Sequence, residues 1–145
     1  MKAIVYTEYG SPDVLQLKEV EKPVPKDNEL LIRVHASTVS AAVIWMRKGQ
    51  FPGSKLFTLL LRLMFGITKS RHPILGVEFS GTVEEVGKDV KLFRNGDELY
   101  EITTGLKNRA YADYVYALCG IINLFLIDIP KMKIWVVENW RVSAL

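Results

Sequence analysis

Few residues in this chain could do chemistry, and most of those stand without partners. The histidines are His35 and His72, and Cys119 is the single cysteine. Zinc takes Cys, His or carboxylate ligands at set spacings, and this sequence has neither a C-x-x-C pair nor paired histidines. No metal site is expected, and both histidines read as surface residues. Cys119 lies in an apolar run with no basic neighbour to stabilise a thiolate, so it reads as a buried structural thiol. Ser37, Ser40 and Ser80 lack the G-x-S-x-G setting of a nucleophilic serine. Neither G-x-G-x-x-G nor G-x-x-x-x-G-K-[ST] occurs, so the chain carries no obvious phosphate-cradling loop. No residue is singled out as a catalytic acid, base or nucleophile.

One constellation stands above this background. Residues 76–87 run Gly-Val-Glu-Phe-Ser-Gly-Thr-Val-Glu-Glu-Val-Gly, and Asn95-Gly96-Asp97 follows. Within a strand, Gly76 and Gly81 permit a bend or a close backbone approach. Gly87 and Gly96 suit turns. Glu78 is a carboxylate among apolar neighbours and calls for a buried partner or water. Spacing alone fits a plain β-hairpin equally well.

The elements that must position these residues are mostly strands. Short apolar or alternating runs mark strands over 2–6, 30–36, 77–86, 98–100 and 110–115, with a half-buried strand around Leu15 and Leu17. Residues 22–28 hold two prolines, an Asp and an Asn, and read as a loop. Residues 40–48 favour a helix that Gly49 stops. The apolar run 56–67, broken by Arg62 and Gly66, is too short to span a bilayer. It is expected to form a core or pocket-covering helix rather than a membrane-surface one. Several short strands with turns between them suggest a closed or partly closed antiparallel barrel.

Bulk properties narrow the class. With 145 residues and 49% hydrophobic composition, the chain can bury one core but not two ordinary domains. Its net charge of +3 reads as spread along the chain, with no run of five or more like charges, which argues against nucleic-acid binding. A single cysteine suits a reducing cytoplasm, and the polar residues from Thr7 onward leave no secretory signal at the start.

The motif G-x-E-x-x-G-x-V-x-x-V-G followed by G-D resembles the signature of the medium-chain dehydrogenase/reductase superfamily. Met1-Lys2-Ala3, Gly10-Ser11-Pro12-Asp13-Val14-Leu15 and Pro23 resemble its zinc-independent quinone oxidoreductase (zeta-crystallin-like) branch. Residues 31–37 and 110–115 continue the match. The resemblance implies a mainly β, GroES-like, partly open barrel with one or two short helices. In that family the barrel packs on a Rossmann domain that binds NADPH, and no Rossmann domain is read in this chain. Zinc-dependent members have Cys where this chain has Ser40 and His where it has Val77. In the zinc-free branch the usual Asn-x-x-Asp, with Tyr two residues on, is here Ser40, Val43 and Trp45. By the resemblance Ser40 and Trp45 line the cofactor side of the cleft, and the 56–67 insert covers an apolar substrate. Arg109 stands where the family usually has Gly.

Two regions are therefore expected: a GroES-like catalytic-type domain over 1–116 and an atypical apolar tail over 117–145. Truncation or a frameshift would produce such a tail, which could also carry a contact with a second copy or a partner chain. The implied function is the substrate-side half of an NADPH-dependent reductase of a quinone or an activated carbonyl or alkene, inactive on its own. The alternatives are a non-catalytic remnant or interaction domain, or one half of a split enzyme.

Overall fold

The computed structural model describes residues 1–68, 70–102 and 109–118. Six strands and two α-helices follow one another among the described residues. Strands β1 (Lys2–Val5) and β2 (Gln16–Glu19) form a two-stranded antiparallel sheet. Strands β3 (Glu29–Ser37), β4 (Glu78–Val86), β5 (Glu98–Ile102) and β6 (Tyr114–Leu118) form a four-stranded antiparallel sheet in the order β5-β4-β3-β6. Helices α1 (Ala41–Lys48) and α2 (Lys55–Phe65) lie in the connection between β3 and β4. Isolated bridges Ala3↔Ala112 and Val5↔Ile74 tie the small sheet to the rest. Both sheets stay open, and no closed barrel forms among the described residues.

The central strand is β3. Its first half pairs with β6 from Glu29↔Leu118 to Arg33↔Tyr114, while β4 lies along its other edge from Leu30↔Val86 to Ser37↔Phe79. Glu29, Leu30, Leu31 and Ile32 are all buried, so this half of β3 is covered on both faces. Leu31, which breaks the alternation in the sequence, is thereby explained. The main core joins Leu30 and Ile32 to Phe79, Val83, Leu99 and Val115. Each such side chain taken from water contributes about 1.5–3 kcal/mol.

β3 and β4 can run side by side only because of Gly81. A methyl group there would stand 2.2 Å from the Arg33 carbonyl oxygen and 2.8 Å from the Ile32 side chain. Register shifts at Leu31/Ile32 and Val34/Ala36 flank this close approach. The bend or close approach expected at Gly81 is thus a close approach.

Three expectations need correction. The strand around Leu15 and Leu17 is not half-buried: all four residues of β2 are exposed, Leu17 by 60%. Among the described residues β2 pairs only with β1, while Leu15, just before it, is half-buried against the Tyr6 and Val43 cluster. The expected strand over 110–115 begins instead at Tyr114, because residues 110–112 pair singly with the 74–76 segment and with β1. Helix α2 is not a core helix, since none of its residues is buried; of the two roles expected for it, its half-buried face fills that of covering a pocket. Strand β6 remains paired with β3 through Leu118, and the readings for Cys119 and the rest of the tail lie outside the described residues.

Glu101, on β5 opposite Phe79, is a carboxyl buried in the sheet with Oε2 unpartnered among the described residues. Burial pushes it up from its ordinary 4.5 to about 7. A carboxyl with a raised folded value binds its proton more tightly in the folded state. Its effect on stability is therefore most favourable below pH 4.5 and is lost as pH rises through 7.

Two measurements check these points. Gly81→Ala is expected to lower the urea unfolding free energy by about 1–3 kcal/mol. Glu101→Gln should gain on the natural chain by about 2–3 kcal/mol between pH 5 and pH 8. A constant difference between the two unfolding curves across that range would contradict the buried carboxyl.

Candidate functional site

Where β3 ends and β4 begins, the sheet brings polar groups together. The Ser37 hydroxyl donates to the Glu78 carbonyl oxygen at 2.7 Å, closing the sheet end. The Thr38 hydroxyl donates to the Glu78 carboxylate Oε2. The Tyr111 hydroxyl then donates to the Thr38 carbonyl oxygen at 2.9 Å. The partner that Glu78 calls for is thus Thr38. Burial, with a smaller contribution from Glu78, pushes the Tyr111 phenol up to about 12, so it remains a neutral donor near pH 7. The same two causes raise Tyr100.

Gly76 lets Tyr111 reach this place. Its φ is +101°, and a Cβ there would stand 2.8 Å from the Tyr111 backbone nitrogen. Across this contact the Tyr111 N–H donates to the Leu75 carbonyl at 2.9 Å. The role of Tyr111 was missed in the sequence. The one signal was a large aromatic between two alanines, Ala110 and Ala112, in an otherwise small-residue stretch.

Ser40 opens α1 from this same corner. It occupies the N-cap position, yet its side chain makes no capping hydrogen bond. Serine is favoured at that position because its oxygen normally accepts a backbone N–H of the first turn. Here Oγ is buried and has no hydrogen-bond partner among the described residues. Such an atom costs roughly 1–3 kcal/mol unless something satisfies it.

Trp45 lies further along α1 and faces elsewhere. Its ring meets Phe51 edge-on at 4.9 Å, and Phe51 meets Phe57 at 4.5 Å. With Tyr6, Tyr9, Leu61, Arg62 and Phe65 it lines an apolar cavity of about 30 Å³, room for one water molecule and no substrate. Ser40 is absent from that lining. The structure therefore does not bring the two expected cofactor-side residues into one cavity.

The histidines divide. His35 is exposed, with Nε2 2.7 Å from the Thr82 hydroxyl. His72 is half-buried in the cavity wall beside Trp45, and burial, then Arg109 and Arg71, hold it below its ordinary value. Among the described residues no group of three His, Cys, Asp or Glu side chains converges to hold a metal. Val77 and Arg109 are both half-buried, and the Arg109 guanidinium lies over the Tyr116 ring at 5.4 Å.

Residues 26–124 match the model of the alcohol dehydrogenase GroES-like domain. The chain belongs to that family. It is 31% identical over 122 residues to the quinone oxidoreductase of Homo sapiens, covering 81% of this chain and 31% of that protein. The solved quinone oxidoreductase of Coxiella burnetii superposes with a TM-score of 0.64 at 32% identity, covering 81% of this chain and 34% of that one. A mycobacterial protein solved in complex with NADPH superposes with a TM-score of 0.61 at 30% identity, over 83% of this chain and 32% of that one. The chain thus spans about a third of the length of these relatives. The mainly β GroES-like fold implied by the resemblance and the quinone oxidoreductase kinship read from residues 1–23 are both upheld.

Replacing Ser40 tests whether its hydroxyl acts within the chain. Ser40→Ala is expected to leave the unfolding free energy within about 1 kcal/mol of the natural value, or to raise it. A loss of about 1–2 kcal/mol would instead mark an ordinary cap.

Proposed function

We propose that this chain is the substrate-side domain of an NADPH-dependent, zinc-independent reductase acting on a quinone or an activated carbonyl or alkene. The observation that carries this reading is the 31% identity with a quinone oxidoreductase over 81% of the chain, joined to a Ser40 Oγ at the start of α1 that has no hydrogen-bond partner among the described residues. A hydroxyl can both donate and accept, so it suits a carboxamide such as that of nicotinamide. By this measure Ser40 would face the cofactor, whereas Trp45, packed on Phe51 in a separate cavity, is not assigned to it.

When bound, NADPH would supply the hydride. The chain's own part is positional. Thr38 and Tyr111 hold the Glu78 carboxylate and the β3 end in one arrangement, which sets where α1 and Ser40 begin. Leu61 and Phe65 on the half-buried face of α2 line the small apolar cavity beside Trp45 and close that side of the domain. Ser40 and Val77 stand at the positions of zinc ligands in zinc-dependent members, and neither binds zinc readily.

A domain exchange provides the test. Residues 1–116 would replace the matching third of the human quinone oxidoreductase. Expected is quinone-dependent NADPH oxidation that withstands chelators. Ser40→Ala should raise the KM for NADPH several-fold while leaving the fold intact. A folded chimera that binds NADPH but reduces no quinone, enone or aldehyde would defeat the proposal.

A further inference from the structure

Helix α2 has two apolar faces, and only one packs against other described residues. Thr58, Leu61, Arg62 and Phe65, spaced three and four apart, form the half-buried face. Arg62 Nε donates to the Gly49 carbonyl at 2.9 Å, and its guanidinium lies over the Tyr9 ring at 5.3 Å. On the other side Leu56, Leu59, Leu60, Leu63, Met64 and Ile67 follow the same spacing, and every one is 49% exposed or more. A continuous stripe of this kind marks an interaction surface rather than scattered surface hydrophobics.

Charge indicates what covers the stripe. Residues 30–77 contain seven Lys and Arg and no Asp or Glu, whereas the rest of the chain has twelve basic residues against sixteen acidic. The +3 net charge is therefore not evenly spread but partitioned around the two helices. Lys55 at the start of α2 and Arg71, whose N–H donates to the Phe65 carbonyl oxygen, stand at the two ends of the stripe; they and Lys48, at the end of α1, are exposed and have no carboxylate partner among the described residues. A second copy meeting at the same face would set basic against basic. Residues 119–145, with three basic and two acidic groups, offer no complementary charge. An apolar stripe rimmed by cations is the pattern of a helix lying in the interface of an anionic bilayer.

We propose that α2 docks the chain on anionic lipid surfaces, its outward leucines entering the headgroup boundary while Lys48, Lys55 and Arg71 meet lipid phosphates and carboxylates. This is attachment to a surface, not a span. Among the described residues no helix is long and apolar enough to cross a membrane. Docking requires neither cofactor nor substrate, so it stands apart from the reductase reading.

Sedimentation of the full chain with vesicles tests it, using phosphatidylcholine alone or mixed with phosphatidylserine. Binding is expected to the mixed vesicles and to weaken in high salt, where charge attraction is screened to about 3 Å. The double change Leu60→Glu and Leu63→Glu should weaken binding about tenfold or more. Leu92→Glu, at an exposed apolar position away from α2, should not. Circular dichroism confirms that each variant is folded, and these side chains are already in water, so their loss leaves the core untouched. The proposal is overturned if the natural chain stays in the supernatant, or if the Leu60/Leu63 variant binds as well as the natural chain. It is equally overturned if the stripe instead drives a concentration-dependent dimer that excludes vesicles.

Discussion

The Arg33 carbonyl oxygen lies so close to Gly81 that no side chain fits between them. That single approach sets the distance between β3 and β4, and most of the domain depends on it. With β4 held there, Phe79 and Val83 meet Leu30 and Ile32 in the core. The start of β4 is then opposite the end of β3, and Glu78 comes within reach of Ser37 and Thr38. A wider spacing would separate both the core layer and the polar corner.

The polar corner is a consequence of the sheet rather than a separate construction. Tyr111 arrives from the segment before β6 and is admitted by Gly76, whose positive φ leaves room beside the Tyr111 backbone. Its buried phenol stays protonated and donates to the backbone just ahead of α1. Thus three distant stretches converge on the turn that presents Ser40. That hydroxyl has no hydrogen-bond partner among the described residues, although the groups leading up to it are well satisfied. Unsatisfied buried polar atoms are uncommon in folded domains, which is why this serine at a helix start is the residue proposed to face the cofactor.

Helix α2 shows the opposite balance. Its inward face rests on Tyr9, Gly49 and Phe51 through Arg62 and Thr58, whereas its outward leucines remain in water. The basic residues gathered around it have their acidic counterparts elsewhere in the chain. Packing and charge separation therefore divide the molecule into a tightly ordered sheet and an apolar, cationic helical shoulder.

Much of this was legible in the residues. Period-2 alternation revealed β3 and β4, Gly49 ended α1, and Asn95-Gly96-Asp97 turned the chain into β5. Such local signals survive because backbone propensity and one-sided burial act over a few neighbours. The glycine-spaced motif over 76–87 also carried the family kinship, since its glycines answer steric demands particular to this fold. Only the tertiary structure decided which apolar stretches are buried. Leu17 and the outward face of α2 look as apolar as Ile32, yet exposure depends on whether a second layer lies opposite, and no local pattern encodes that layer. The partner of Glu78 was equally hidden, because Thr38 lies 40 positions away in sequence and meets it only when β3 and β4 pair. The sequence by itself determined the strands, the turns and the ancestry. Long-range packing alone decided the site and the open helical face, because both arise from groups that are distant along the chain.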